Sequence, residues 1–255
     1  MSKIKISIVS YLNSQPFIYG LEQSELIKDI TLERDIPSVC AEKLLTNKTD
    51  IGLIPVVVLP LFKNYTILTD YCIGAEGPVR SVALFSNEPL QNIKKILLDY
   101  QSRTSIQLTQ VLAKYFWKIN VEWINAAENY ETQIDGNTAG VIIGDRALQQ
   151  ENKFKYRYDL AEEWIKFTGL PFVFACWVTN KNLPDSFIEK FNAAIKHGVD
   201  NRKNSLASFN DSLINKQEAL NYLTRNISYE LNEQKKKGLK EFLNYCSKEN
   251  NSYQN

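Results

Sequence analysis

Apolar and polar positions alternate along this chain in two distinct periods. At the start, Lys3, Lys5 and Ser7 alternate with Ile4, Ile6 and Ile8, the period of two that marks a strand. Short β-rich runs of similar length recur and predict strands at 30–34, 51–54, 81–86, 96–99, 121–124, 141–143 and 172–179. Between them the period lengthens. Val39, Leu44 and Leu45 follow Pro37, a residue that the first turn of a helix tolerates, so 37–47 reads as a helix. Leu108, Val111, Leu112, Tyr115, Phe116 and Ile119 share one face of a second, predicted over 105–118. Beyond Thr179 the strand signals stop. Phe187, Phe191, Ala194 and Ile195 make one amphipathic face, and further helices run into a polar tail from about Lys248. Strands alternating with helices predict layers of α/β structure with mostly parallel strands.

The stretches 81–96 and 174–191 echo each other, each with an apolar strand, a polar turn containing Asn, a Pro and a helix-like segment. Two such strands bracketing about 90 residues suggest a chain that leaves one lobe and later returns to it. The predicted organisation is therefore lobe 1 from 1–86 and 176–255, with lobe 2, 87–175, inserted. A small ligand is expected between such lobes. This layout resembles the bilobal periplasmic-binding-protein type.

The 30 Lys+Arg residues nearly cancel the 29 Asp+Glu, which disfavours a nucleic-acid groove or a polybasic membrane arm. The longest apolar stretch, 51–62, is broken by Pro55 and Pro60 and is too short for a membrane helix. No continuous apolar block precedes a small-residue cleavage site near Met1, so a cytoplasmic protein is expected. The four cysteines lie far apart with no C-x-x-C pair, and His197 is the only histidine. Neither a zinc or iron–sulfur site nor a disulfide framework is expected. The dinucleotide, P-loop and α/β-hydrolase motifs are all missing, and no cofactor is expected.

The candidate chemistry lies at strand ends. The first strand runs into SYLNSQPF, where Tyr11, Asn13 and Ser14 sit at the carboxyl edge that faces a ligand crevice in open α/β sheets. Asn13 offers two donors and an acceptor without charge; alternatively Asn13 and Ser14 cap the turn that Pro16 begins. In LLDYQSRTSIQL, Ser102, Thr104 and Ser105 stand at a helix start, where free N–H groups and the helix dipole favour a carboxylate. The competing reading is an ordinary N-cap by Ser102 or Thr104. GPVRSVALFS brings Arg80 and Ser81 to the start of a crossing strand, where Arg80 could grip a carboxylate in bidentate fashion or simply stand exposed. In AGVIIGDRAL, Gly144 lets backbone approach a ligand closely, and Asp145 reads as an N-cap in preference to a base. TGLPFVFACWV contributes aromatic surface that reads mostly as core. His197 lies in a Lys-rich helical segment and reads as a surface or packing residue.

In order along residues 4–178, SYLNSQPF, D-x-x-SRTS, GPVRSVALFS, IGDRAL and TGLPFVFA together resemble the chorismate dehydratase family of the futalosine route to menaquinone. The resemblance implies a type II periplasmic-binding-protein fold used as an enzyme. It also implies a cofactor-independent conversion of chorismate, a dicarboxylate, to 3-[(1-carboxyvinyl)oxy]benzoate and water. Asn13 and Ser81 would be the catalytic residues. Tyr11, Ser14, Arg80, Ser102, Thr104, Ser105, Gly144 and Asp145 would contact the substrate. Loss of the ring C3 proton and the C4 hydroxyl produces an aromatic ring, so no redox group is needed. Among carboxylates that could act as a base, Asp145 is best placed and Glu76 is a second. The rival readings are a non-catalytic sensor of aromatic carboxylates on the same fold and the sister 1,4-dihydroxy-6-naphthoate synthase. Oligomeric state is left open.

Overall fold

The structure is a computed structural model that describes residues 3–207, 209 and 214–252. Its strands, in chain order, are β1 (Ile4–Val9), β2 (Ile30–Asp35), β3 (Ile51–Pro55), β4 (Thr66–Ala75), β5 (Val82–Ser86), β6 (Lys95–Leu98), β7 (Glu122–Asn125), β8 (Thr138–Ile143), β9 (Tyr156–Asp159), β10 (Phe172–Thr179) and β11 (Ser228–Glu230). Its α-helices are α1 (Gln15–Glu22), α2 (Pro37–Leu45), α3 (Arg103–Val111), α4 (Asp145–Gln149), α5 (Leu160–Thr168), α6 (Asp185–Asp200), α7 (Arg202–Ser205), α8 (Lys216–Asn221) and α9 (Glu233–Ser252). The chain forms two compact units, 1–74 with 173–232 and 75–172 with 233–255.

The first unit is built on a six-stranded sheet ordered β11-β4-β10-β3-β1-β2. Strands β3 and β10 are buried along their whole length, and both are continuous apolar runs, as strands covered on both faces must be. Helices α1 and α6 meet at glycines. A methyl group on Gly20 would stand 2.0 Å from the Ala194 carbonyl oxygen, and one on Gly198 would stand 1.8 Å from that of Pro16. Only hydrogen fits at these two points, and their contact seats α1 behind the end of β1. The rings of Phe17, Trp177 and Phe191 pack in series below it, at 5.7 and 5.1 Å.

The second unit carries a five-stranded sheet ordered β7-β6-β8-β5-β9. One side holds an apolar cluster of Ala83, Phe85, Leu97, Tyr130, Ile134, Ile142 and Ala147. Elsewhere Trp164 stands edge-on to Phe172, Phe242 and Tyr245, with ring centres 5.5–6.1 Å apart. That aromatic cage fastens α9 to the unit.

Three expectations need correction. The strands are mixed, not mostly parallel: β1 runs parallel to β2 and β3, and β6 to β7 and β8, but β10 opposes β3 and β5 opposes both β8 and β9. Only helical crossovers force a parallel neighbour, and β5 and β10 enter their sheets by other routes. Strand structure also resumes after Thr179, in β11. Finally, residues 75–86 and 233–255, assigned above to lobe 1, belong to the second unit, and 173–175, assigned to lobe 2, belong to the first. Strand β5 is paired on both sides by β8 and β9 and is not a crossing strand, and α9 is held by the Trp164 cage. No helix among the described residues is long and apolar enough to cross a membrane.

Candidate functional site

In the first unit, β1 ends at Val9 and passes through extended Tyr11, which is half-buried, into a single 3-10 turn, Leu12–Ser14, that leads directly into α1. Neither helical start uses a side-chain cap, so the capping alternative for Asn13 and Ser14 does not describe this turn. The Ser14 hydroxyl instead donates to the Asn13 Oδ1 at 3.1 Å. The backbone carbonyl of Asn13 accepts from the Tyr229 hydroxyl at 2.8 Å. Burial pushes the Tyr229 hydroxyl far above its ordinary range, so it stays a donor. Tyr229 comes from β11, a strand that the sequence pattern does not announce. Asn13 is thus fixed by its backbone and by its amide oxygen, and its Nδ2 has no acceptor among the described residues. The residue is 9% exposed, which makes this amide an oriented, neutral donor at a largely buried position.

In the second unit, β6 delivers Asp99, fully buried, to the start of α3. Asp99 Oδ1 accepts the Gln101 N–H at 2.7 Å, and Oδ2 accepts the Tyr130 hydroxyl at 2.8 Å and the Arg146 Nη2. Arg146 also pairs with Glu131 at 2.7 Å and lies over the rings of Tyr100 and Tyr130, 5.3 and 5.8 Å from their centres. Burial pushes the Asp99 carboxyl up, and the Arg146 charge with the hydrogen bonds reverses only part of that rise. Asp99, Tyr130 and Arg146 therefore form a structural knot that ties β6, β8 and α4 together beneath the start of α3. The sequence shows these residues but not their contacts, since each partner lies 31 or 47 positions from Asp99.

Above the knot, Ser102 is the N-cap of α3, as the plainer reading had it: its Oγ accepts the Ser105 N–H at 3.2 Å. Its hydroxyl also bonds the Ser105 hydroxyl at 2.9 Å. Two hydroxyls sharing one hydrogen bond leave one proton over, and that proton has no acceptor among the described residues. The Arg103 N–H, in the first turn of the helix, has none either. Ser102, Thr104 and Ser105 are all buried. The helix start is thus a small set of preformed donors at the positive end of the dipole.

Gly144 and Asp145 join this arrangement through backbone. Gly144 sits at φ 65°, ψ −151°, a conformation essentially confined to glycine, and its N–H donates to the Ser81 carbonyl at 2.8 Å. Asp145 opens α4, where Gly144 holds the N-cap position and no side-chain cap bond forms. The preferred N-cap reading of Asp145 is therefore not what the structure shows. Ser81 is 1% exposed. Arg80 is not an unattached guanidinium: its Nε and Nη2 fork onto Glu151 at 2.8 and 2.5 Å, so the expected carboxylate grip is taken up within the protein. Glu76 pairs with Lys235, a fully buried lysine at the start of α9 that a Lys-rich sequence run conceals. His197 is exposed and stacks on Tyr19 at 6.0 Å. The four cysteines are separate buried thiols.

With this geometry in hand, comparison with known proteins gives three results. The family described as menaquinone biosynthesis matches residues 4–248. A curated relative from Thermus thermophilus named chorismate dehydratase is 25% identical over 201 residues, covering 69% of this chain and 71% of its own. Among solved structures, a protein from Archaeoglobus fulgidus superposes with a TM-score of 0.75 at 13% identity, covering 97% of this chain and 98% of the other. A Candida albicans gene product described as having the generic periplasmic binding protein fold superposes at 0.60, with 12% identity and 96% and 90% coverage. The fold is accordingly of the periplasmic-binding-protein type.

Proposed function

The chain belongs to the menaquinone biosynthesis family, and from that premise we propose that it is a chorismate dehydratase, a cofactor-independent lyase that releases water from chorismate to give 3-[(1-carboxyvinyl)oxy]benzoate. The named relative from Thermus thermophilus supports this reading. The observation that carries it is the Asn13 amide, which is held through its oxygen and offers Nδ2 with no acceptor among the described residues. A neutral donor of this kind suits a carboxylate that must stay basic, because a full positive charge would lower its proton affinity.

The chemistry then follows from the substrate. The ring C3–H bond breaks, its electron pair moves into the ring, and the C4 hydroxyl departs with a proton as water. Donors on the ring carboxylate stabilise the dienolate-like charge that develops, and the Arg103 N–H with Thr104 and Ser105 fits that task. Asn13 orients the substrate's own enolpyruvyl carboxylate as the base. Intramolecular placement of this sort is worth about 7 kcal/mol or more when well aligned. Ser81 contacts the departing hydroxyl. Tyr11, Ser14, Gly144 and Asp145 would complete the substrate contacts, and no resident metal or cofactor takes part.

Incubating pure protein with chorismate and following the loss of its diene absorbance, with the product identified by mass, tests the reading. Binding without loss of absorbance would make the protein a sensor, and turnover only of a cyclic futalosine derivative would make it the sister synthase. A double-mutant cycle on Asn13→Ala and Ser81→Ala reports whether both residues act on one molecule, since independent effects would simply add.

A further inference from the structure

Three successive residues before β5 adopt an unusual turn. The Ser81 N–H donates to the Val79 carbonyl two residues back at 2.8 Å, and the central residue, Arg80, has φ 63°. A three-residue turn whose central φ is positive is rare and strained, and more so for a residue with a side chain. Every group that Arg80 possesses is held. Its N–H donates to Asp159 Oδ2 at 2.7 Å, its carbonyl accepts from Arg157 Nη2 at 3.1 Å, and its guanidinium forks onto Glu151. Arg157 closes the circuit by pairing with Glu151 at 2.9 Å and Asp159 at 3.3 Å.

Asp159 is the centre of this arrangement. It ends β9 beside β5, where the register sets it opposite Ala83, and it is 5% exposed. Oδ1 accepts the N–H groups of Val79, Ala161 and Glu162, at 3.1, 3.2 and 3.2 Å, and thereby caps α5. Oδ2 alone faces Arg80 and Arg157. Both oxygens are needed, and they do separate things.

We infer that Asp159, through its Oδ2, is a positioning residue that imposes the strained turn at Arg80 and so sets the place of Ser81. This rests on the reading that Ser81 meets the departing hydroxyl. It also assigns Arg80 a part in the turn and not in the grip on substrate.

Asp159→Asn tests this directly. An asparagine keeps one oxygen, and asparagine is as good an N-cap as aspartate, so α5 retains its start while an NH2 group confronts the Arg80 N–H and Arg157. Two readouts are needed, one of which requires no substrate. Amide exchange followed by NMR should quicken at Arg80 and at Gly144, whose acceptor is the Ser81 carbonyl. With chorismate, kcat should fall ~10- to 100-fold while KM stays within ~3-fold, the pattern of a contact made only in the transition state. Glycine is at ease at positive φ, so Asp159→Asn/Arg80→Gly should regain at least ~10-fold of the lost kcat and restore protection at Gly144. A residue that merely stabilised the fold would show no such rescue.

Unchanged exchange at Gly144 in Asp159→Asn overturns the inference, as does an unchanged kcat or a double variant as slow as the single one. If Asp159→Asn does not fold, Asp159→Glu, which retains the charge but displaces it by one methylene, should show the same two effects more weakly, and their absence there overturns the inference equally. If the unaltered protein does not consume chorismate, the proposed function fails, and the exchange rates alone then decide whether Asp159 sets the turn.

Discussion

Asn13→Ala should separate activity from stability, and the structure gives both magnitudes. The Ser14 hydroxyl loses its acceptor at 3.1 Å, at a cost of about 0.5–1.5 kcal/mol. The substitution also removes an amide donor that has no acceptor among the described residues, but that atom is not among the buried polar atoms lacking a partner, so solvent reaches it and its removal returns little. The backbone anchor to Tyr229 uses the Asn13 carbonyl and survives. The net loss stays within about 1.5 kcal/mol, so the melting temperature should fall by less than ~6 °C, given ~2–4 °C per kcal/mol for a chain of this size. Activity should respond differently. A hydrogen bond from the amide to a carboxylate is worth about 1.5–3 kcal/mol, which is about a 10- to 150-fold loss in kcat/KM at 1.4 kcal/mol per decade. Circular-dichroism melts and the diene-absorbance assay, run on one preparation, measure both. A melting point lowered by ~8 °C or more, beyond what the two terms allow, would refute the reasoning, and so would an unchanged kcat/KM in an enzyme that otherwise consumes chorismate.

Other consequences follow from the same structure. Gly198→Ala places a methyl group 1.8 Å from the Pro16 carbonyl oxygen, and since neither backbone can yield, urea denaturation should show a loss of ~3 kcal/mol or more. Gly77→Ala, where nothing lies within 4 Å of the added carbon, should stay within ~0.5 kcal/mol of the parent. Burial pushes the Glu151 carboxyl up, but the hydrogen bonds from Arg80 and the charges of Arg157 and Arg80 outweigh it and leave the group below its ordinary value of 4.5. A carboxyl depressed by folding contributes stability above its unfolded value, and loses it as pH falls through the folded one. Glu151→Gln should therefore cost about 1.5–3 kcal/mol at pH 7, and its deficit should shrink as the pH drops below 4.5. A deficit independent of pH would show that the pair with Arg80 is not its source. Asp99 and Asp159, which burial pushes up, run the other way: folding favours their protonated forms, so they oppose acid unfolding, and Asp99→Asn should not flatten the acid limb of stability.

Much of the fold is written in local periodicity. Strands β1 and β10 begin and end where the alternation and the apolar run predict, and β2, β3, β5, β6, β7 and β8 fall within a few residues of their predicted places. Three strands escape, β4, β9 and β11: in β4, TILTDYCIGA, the adjacent Ile67 and Leu68 and the adjacent Thr69 and Asp70 break the alternation. β9 reads Tyr-Arg-Tyr-Asp, with no apolar residue to mark a buried face, and it is held by pairing with β5. β11 is three residues long, below the length at which any period is visible. The division into units was misread at 75–86 and 233–255 for a related reason. An echo between 81–96 and 174–191 reports similar local structure, but which sheet a strand joins is decided by partners such as β8 and β9, about 55 to 76 positions away in the chain.

The site was legible to a different depth. Residue type and position near a strand end pick out Asn13, Ser81, Ser102 and Ser105 as candidates. What one chain of letters cannot show is which of those groups is already satisfied. Arg80 carries the charge that a carboxylate ligand would want, yet Glu151 and Asp159 consume its donors. Asp99 sits at the end of a strand like a base, yet Gln101, Tyr130 and Arg146 surround it. Among the backbone and hydroxyl or amide groups of the candidate segments, the Asn13 amide, the Arg103 N–H and the spare hydroxyl proton of Ser102 and Ser105 have no acceptor among the described residues. None of these carries a charge. Neutral donors lower the basicity of a carboxylate less than a full positive charge does, and that is the property the proposed reaction asks of groups that hold a substrate supplying its own base.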